Sequence, residues 1–176
     1  LTCIDLKNNR ITEVGCESIA RLTGLTFLDL CTEGIHTASN EIKNGGLQAL
    51  SNGLTRLTYL HLNECKVGEE GLLALLPRNP QLRDVGVESC SASLKVWQCI
   101  TSLTAIERLA IGTDRISIDN TKLYEEEVMM LGRRLPNLKH LSIAQKLRMA
   151  SRAYKVTKAT IKVLRLLRPT LEVTVS

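Results

Sequence analysis

Six times along this chain an apolar residue is followed by apolar residues three and five positions later. The starts fall at Leu1, Leu25, Leu57, Leu82, Ile106 and Leu138, with followers at Ile4 and Leu6, Leu28 and Leu30, Leu60 and Leu62, Val85 and Val87, Leu109 and Ile111, and Leu141 and Ile143. A seventh run, Leu171, Val173 and Val175, closes the chain. Two apolar positions separated by one residue mark a strand that buries one side and shows the other. Between these runs the apolar spacing lengthens to the period of a helix: Ile19, Leu22 and Leu25; Leu47, Leu50 and Leu54; Leu72, Leu75 and Leu76; Trp97, Ile100 and Leu103; Val128, Leu131 and Leu135; Ile161, Leu164 and Leu167. Each unit therefore predicts one strand and one helix on opposite sides of a coil. Gly15, Gly46 and Gly71 precede apolar anchors by four residues, which predicts a turn into the helix. Pro80 and Pro136 stop helices two residues before a strand start.

The clearest unit is Leu57 to Val67, in which Leu57, Leu60, Leu62, Cys65 and Val67 follow L-x-x-L-x-L-x-x-(N/C)-x-(L/V). This motif resembles the leucine-rich repeat in its ribonuclease-inhibitor-like and cysteine-containing forms, and the resemblance runs over almost the whole chain. It implies a right-handed curved α/β solenoid of about six to seven repeats, with a parallel β-sheet on the concave face and helices on the convex face. The consensus slot holds Cys65 and Cys90, whereas Asn9, Glu33, Asp114 and Lys146 stand there in other units. Solenoids need capped ends; a chain that opens on Leu1 inside a repeat is expected to be a single repeat domain, 1–176, taken from a longer protein.

The starts are spaced by 24, 32, 25, 24 and 32 residues, so the first three recur as the last three at an offset of 81. Under that offset Glu33 aligns with Asp114, Ile35 with Ile116, Ile42 with Leu123, Leu50 with Leu131 and Leu54 with Leu135. A duplicated three-repeat block and a coincidence of lengths both fit. The two long units carry inserts, Thr32 to Asn44 and Thr113 to Tyr124, which should emerge at one rim. They read equally as a binding feature or as a tolerated excursion.

Alternation predicts that the third, fifth and seventh strand residues face the concave side. The columns read Cys3, Phe27, Tyr59, Asp84, Arg108, His140; then Asp5, Asp29, His61, Gly86, Ala110, Ser142; then Lys7, Cys31, Asn63, Glu88, Gly112, Ala144. With one Phe, one Trp and three Tyr in 176 residues, two aromatics side by side at Phe27 and Tyr59 stand out as interface anchors. Phe27, Asp29, Tyr59, His61, Asn63, Asp84 and Arg108 are the candidate residues for a protein or peptide partner. Gly86, Ala110 and Ser142 predict a shallow channel edged by Asp84, Glu88 and Arg108. Trp97 reads as a core residue.

The net charge of +5 comes from one segment. Lys146 to Arg168 holds eight basic residues and no acidic one, against 15 basic and 18 acidic in the remainder. Arg148, Arg152 and Lys155, then Lys158, Lys162 and Arg165, keep helical spacing and predict an outward stripe. A solvated face, an acidic protein and RNA or another anionic surface all fit it. Glu125, Glu126 and Glu127 suit a helix start.

Six cysteines without Cys-x-x-Cys, and no His at ligand spacing, predict no metal site. The cysteines read as reduced, buried thiols in an intracellular protein, cytoplasmic or nuclear. Asp29, Cys31 and His61 resemble a catalytic triad in composition only. No oxyanion donor or nucleophile turn accompanies them, and the absence of a phosphate loop removes support for nucleotide binding. Neither enzymatic chemistry, a cofactor nor a small-molecule substrate is expected, and no apolar run is long enough to span a membrane. The family resemblance also admits a substrate receptor of a ubiquitin ligase or a GTPase-activating protein. The leading expectation is a protein-interaction scaffold, with RNA or anionic-surface binding through the basic segment as the alternative.

Overall fold

The computed structural model describes residues 1–32, 39–112, 125–144 and 156–175. Among the described residues, seven strands form one parallel sheet in sequence order: β1 (Cys3–Asp5), β2 (Phe27–Asp29), β3 (Tyr59–His61), β4 (Asp84–Gly86), β5 (Arg108–Gly112), β6 (His140–Ala144) and β7 (Glu172–Val175). Between them run α1 (Glu13–Ala20), α2 (Lys43–Gly53), α3 (Glu69–Leu75), α4 (Leu94–Ser102), α5 (Glu125–Arg134) and α6 (Lys158–Leu167). The result is an α/β solenoid with its sheet on the concave face. Pairing follows the expected columns, with Cys3 beside Phe27, Phe27 beside Tyr59, Tyr59 beside Asp84, Asp84 beside Arg108 and Arg108 beside His140.

The register stacks the apolar positions as it stacks the polar ones. Leu28, Leu60, Val85, Leu109 and Leu141 form one buried row; Leu30, Leu62, Val87, Ile111 and Ile143 form the next. Each such side chain contributes about 1.5–3 kcal/mol through burial. Ile4 and Leu6, in the first coil, are only partly buried. Leu167, expected in the core, is half exposed, whereas Ile161 and Leu164 carry the inner face of α6.

The strand-to-helix turns repeat as well. Asn8, Glu64 and Ser89 occupy the eighth position of their coils with φ of 54°, 61° and 57°. Left-handed backbone is costly for these residues, and bonds to the next coil hold it: Asn8 N–H to the Cys31 carbonyl at 3.1 Å and Glu64 N–H to the Glu88 carbonyl at 2.9 Å. In the following slot Cys65 Sγ donates to the Leu30 carbonyl at 2.8 Å and Cys90 Sγ to the Leu62 carbonyl at 3.3 Å. The six cysteines are unbridged; Cys3 is exposed and Cys99 half-buried, so burial holds for the other four.

Asn40 does the corresponding work in the second coil. Its Nδ2 donates to the Leu6 and Leu30 carbonyls at 2.9 and 2.8 Å, and its Oδ1 accepts from Ile11 N–H at 2.8 Å. The insert displaces the consensus residue seven positions beyond Glu33, and its neck is closed by Asn40 N–H donating to Thr32 Oγ1 at 3.0 Å. Glu33, Ile35, Asp114, Ile116 and Leu123, aligned above within the two long units, lie outside the described residues.

The glycines have a different role from the one expected. Gly15, Gly46 and Gly71 lie inside α1, α2 and α3 rather than at turns. A Cβ on Gly46 would sit 3.0 Å from Cys16 Sγ, and one on Gly71 would sit 3.0 Å from Leu47 Cβ. Glycine there lets helices of neighbouring coils approach closely. Trp97 is core, as expected, although its Nε1 is buried without a hydrogen-bond partner among the described residues.

Candidate functional site

On the concave face the ring of Tyr59 lies between Phe27 and His61. Phe27 and Tyr59 stack with centroids 3.9 Å apart and planes 14° from parallel; Tyr59 and His61 follow at 4.2 Å and 21°. The three rings are half-buried, because each covers part of the next. The parallel register makes this stack: Phe27 and Tyr59 are neighbours across β2 and β3, and His61 is two residues along β3.

A chain of polar contacts runs through the same side chains. The Tyr59 hydroxyl donates to Asp29 Oδ2 at 3.1 Å and also lies 3.0 Å from His61 Nδ1. His61 Nε2 meets Asp84 Oδ1 at 2.8 Å, and Arg108 Nε donates to Asp84 Oδ2 at 2.6 Å. At the other end Lys7 Nζ stands 3.3 Å from Asp29 Oδ2. Five coils are thus joined by one line of polar contacts, and those that involve an ionised group are stronger than neutral ones.

Asp29 departs from its expected place. Alternation places it in the exposed concave column, yet its side chain is 1% exposed. Tyr59 leans over it, Lys7 pairs with it and Cys31 N–H donates to its Oδ1 at 3.1 Å. Cys31 is buried beside it. Burial, then the adjacent Asp29 charge, pushes the Cys31 thiol well above its ordinary value, the opposite of an activated nucleophile. Burial and Asp29 likewise push up the Tyr59 phenol. For Asp84, burial alone would raise the carboxyl; the bonds from His61 and Arg108 overcome it and hold the group below the usual carboxylate range.

Gly86 accounts for the position of His61. A Cβ there would lie 2.9 Å from His61 Cγ and 2.9 Å from Asn63 Oδ1, so the bare backbone is the bed on which the imidazole rests. Asn63 is only half available to a partner, since its Oδ1 accepts from Glu88 N–H at 2.8 Å. Beyond Gly86 a groove of about 320 Å³ is lined by Asp84, Arg108, Ala110, His140, Ser142 and Thr174 among others, whereas Gly86 and Glu88, expected in the channel, do not line it. Glu172, not selected from the sequence, closes its far side with Oε2 2.9 Å from His140 Nδ1. Carrying the third column into the seventh strand would have found it. Lys7, in the seventh column, likewise joins the site through Asp29.

Of the basic stripe, Arg148, Arg152 and Lys155 lie outside the described residues. Lys158, Lys162 and Arg165 are exposed on α6. Arg165 Nη2 also donates to the Val173 carbonyl at 3.0 Å, and Arg168 donates to the carbonyls of Gly132, Leu135, Pro136 and Leu138 at 2.9–3.1 Å. Arg168 stands three residues before a strand start, as does Asn79, whose Nδ2 donates to the Leu54 carbonyl at 3.0 Å. Part of the basic excess is therefore structural. Glu125 opens α5, and its Oε1 also accepts from Thr157 N–H at the start of α6 at 3.0 Å.

A protein-family model described as Leucine Rich repeat matches residues 1–20 and 54–76, two of the coils whose sheet and turn geometry is given above. Over those coils the chain is similar to leucine-rich-repeat proteins. A search of curated proteins gives no match. Among solved structures, the chain is similar to the tropomodulin C-terminal domain from Caenorhabditis elegans, at 18% identity and a TM-score of 0.48, over 89% of this chain and 98% of that one. Leucine-rich-repeat domains generally bind other proteins. No helix among the described residues is long and apolar enough to cross a membrane.

Proposed function

We propose that this chain binds a protein or peptide across Phe27, Tyr59, His61, Asp84 and Arg108, as a scaffold that holds a partner on its concave face. The observation that carries this reading is the line of stacked rings and charge-assisted contacts across neighbouring strands. Each side chain is already fixed by its neighbour, so little conformational entropy remains to be lost on binding. Tyr and Arg are the residues that most often anchor interfaces, and here they flank a histidine and a carboxylate beside an open groove. A partner segment would set an apolar or aromatic group on the Phe27 and Tyr59 stack, with polar groups toward Asp84 and Arg108.

The test is selection of a random peptide library against the intact chain, followed by measurement of selected peptides on the Tyr59→Ala and His61→Ala double variant. Loss of two anchors predicts an affinity reduction of about 30-fold or more, with the folded far-UV circular dichroism spectrum retained. Equal binding of the same peptides to the variant would sink the proposal.

A further inference from the structure

Spacing along the sequence predicts no metal centre, but the parallel register brings three different ligand types together. Asp29 and Cys31 leave β2 and its extension two residues apart on one side, and β3 sets His61 directly beside Asp29. One carboxylate oxygen, the Cys31 Sγ and one imidazole nitrogen lie within 4.8 Å of one another. The nitrogen on that side is Nδ1, because the Tyr59 hydroxyl bridges it to Asp29 Oδ2 at 3.0 and 3.1 Å. We propose that Asp29, Cys31 and His61 form a site for a borderline-soft divalent cation of the zinc class, with water or a partner's donor as fourth ligand.

The donor set selects that class. One sulfur, one nitrogen and one oxygen suit zinc or cobalt, whereas magnesium and calcium require six or more oxygens. Charge also balances: a thiolate and a carboxylate neutralise a dication, with neutral imidazole as the third ligand. Without the ion, Lys7 Nζ at 3.3 Å balances Asp29. Its ammonium is partly exposed and lies 3.9 Å from Asp5 Oδ2, so it can withdraw toward Asp5 when a cation arrives.

The supporting shell is already assembled. A metal-bound histidine commonly donates its other ring N–H to a carboxylate, which fixes the tautomer and the ring. His61 Nε2 meets Asp84 at 2.8 Å, and Arg108 holds Asp84 at 2.6 Å. Asp29 is fixed in the same way by Cys31 N–H on Oδ1, which leaves Oδ2 for the ion. Metal bonds of about 2.0–2.3 Å require the ligand atoms to draw in to roughly 3.5 Å apart, a shift within reach of side-chain torsions. On binding, the dication takes the place of the Cys31 thiol proton, which leaves to solvent, and the Tyr59 hydroxyl turns away from Nδ1.

Titration of the intact chain with cobalt(II) chloride tests the site through the thiolate-to-cobalt charge-transfer band. One equivalent should saturate the band, and about one proton per ion should appear in weak buffer. Cys31→Ser should abolish the band and Cys90→Ser should leave it unchanged. Asp84→Asn, which keeps all three ligands, should retain the band while weakening affinity about 10- to 100-fold. The Asp84 variant keeps the test decisive if Cys31→Ser does not fold. Absence of the band in the intact chain at equimolar cobalt, its persistence in Cys31→Ser, or unchanged affinity in Asp84→Asn would overturn the site.

Discussion

The first three coils and the last three are built on the same strand register yet present opposite surfaces. In the fifth column the early coils place Asp29 and His61, whereas β4, β5 and β6 place Gly86, Ala110 and Ser142. Large rings in the first half cover one another and bury a carboxylate beneath them. Small side chains in the second half leave a groove of about 320 Å³. The apolar rows behind the sheet hardly differ between the halves, so the backbone does not make this distinction. The boundary is Gly86, where the absence of a Cβ lets His61 lie over β4 and reach Asp84.

Substitutions on either side of that boundary should separate the halves. The largest effect is expected for Asp29→Ala, which strands the buried Cys31 N–H and removes the partner of Lys7 and Tyr59. Urea unfolding should show a loss of about 2–4 kcal/mol, against a change within about 0.5 kcal/mol for Ser142→Ala. Equal losses at the two positions would erase the distinction. Gly86→Ala comes next: its methyl group would press on His61 and Asn63, costing about 1–3 kcal/mol and breaking the His61 to Asp84 contact. Loss of that contact should appear as a shifted His61 ring resonance.

The smallest effect is electrostatic. The Asp84 carboxyl is held below the usual carboxylate value in the folded chain, so the folded state binds fewer protons than the unfolded state as pH falls. The stability this supplies is complete above the unfolded value of about 3.9 and disappears as pH drops through the lower folded value. Asp84→Asn should therefore flatten the fall in stability on that acid limb. A variant whose acid limb matched the parent's would show that His61 and Arg108 do not act on Asp84 as a pair.

Much of the scaffold was legible because strands and helices impose different periods, and six starts in register specify which side chains become neighbours. The column of Phe27, Tyr59, Asp84 and Arg108 follows from counting alone. Burial within a column does not. Asp29 occupies an outward position, but the larger Tyr59 on the next strand closes over it, and only the packed rings reveal this. The helix glycines are hard to read for a related reason: glycine in sequence signals a turn, whereas Gly46 and Gly71 answer to side chains and backbone of the adjacent coil. Asn40 is not legible in the sequence because the insert carries it away from the consensus slot, nor is Arg168, because its four carbonyl partners come from a preceding coil.

The most direct measurement is chemical-shift mapping of the isotopically labelled chain with a library-selected peptide. Shifts should concentrate at Phe27, Tyr59, His61, Asp84 and Arg108 and continue into Ala110 and Ser142, with the helices undisturbed. Shifts confined to α6 around Lys158 and Lys162, or spread over the helical face with the concave residues silent, would contradict it.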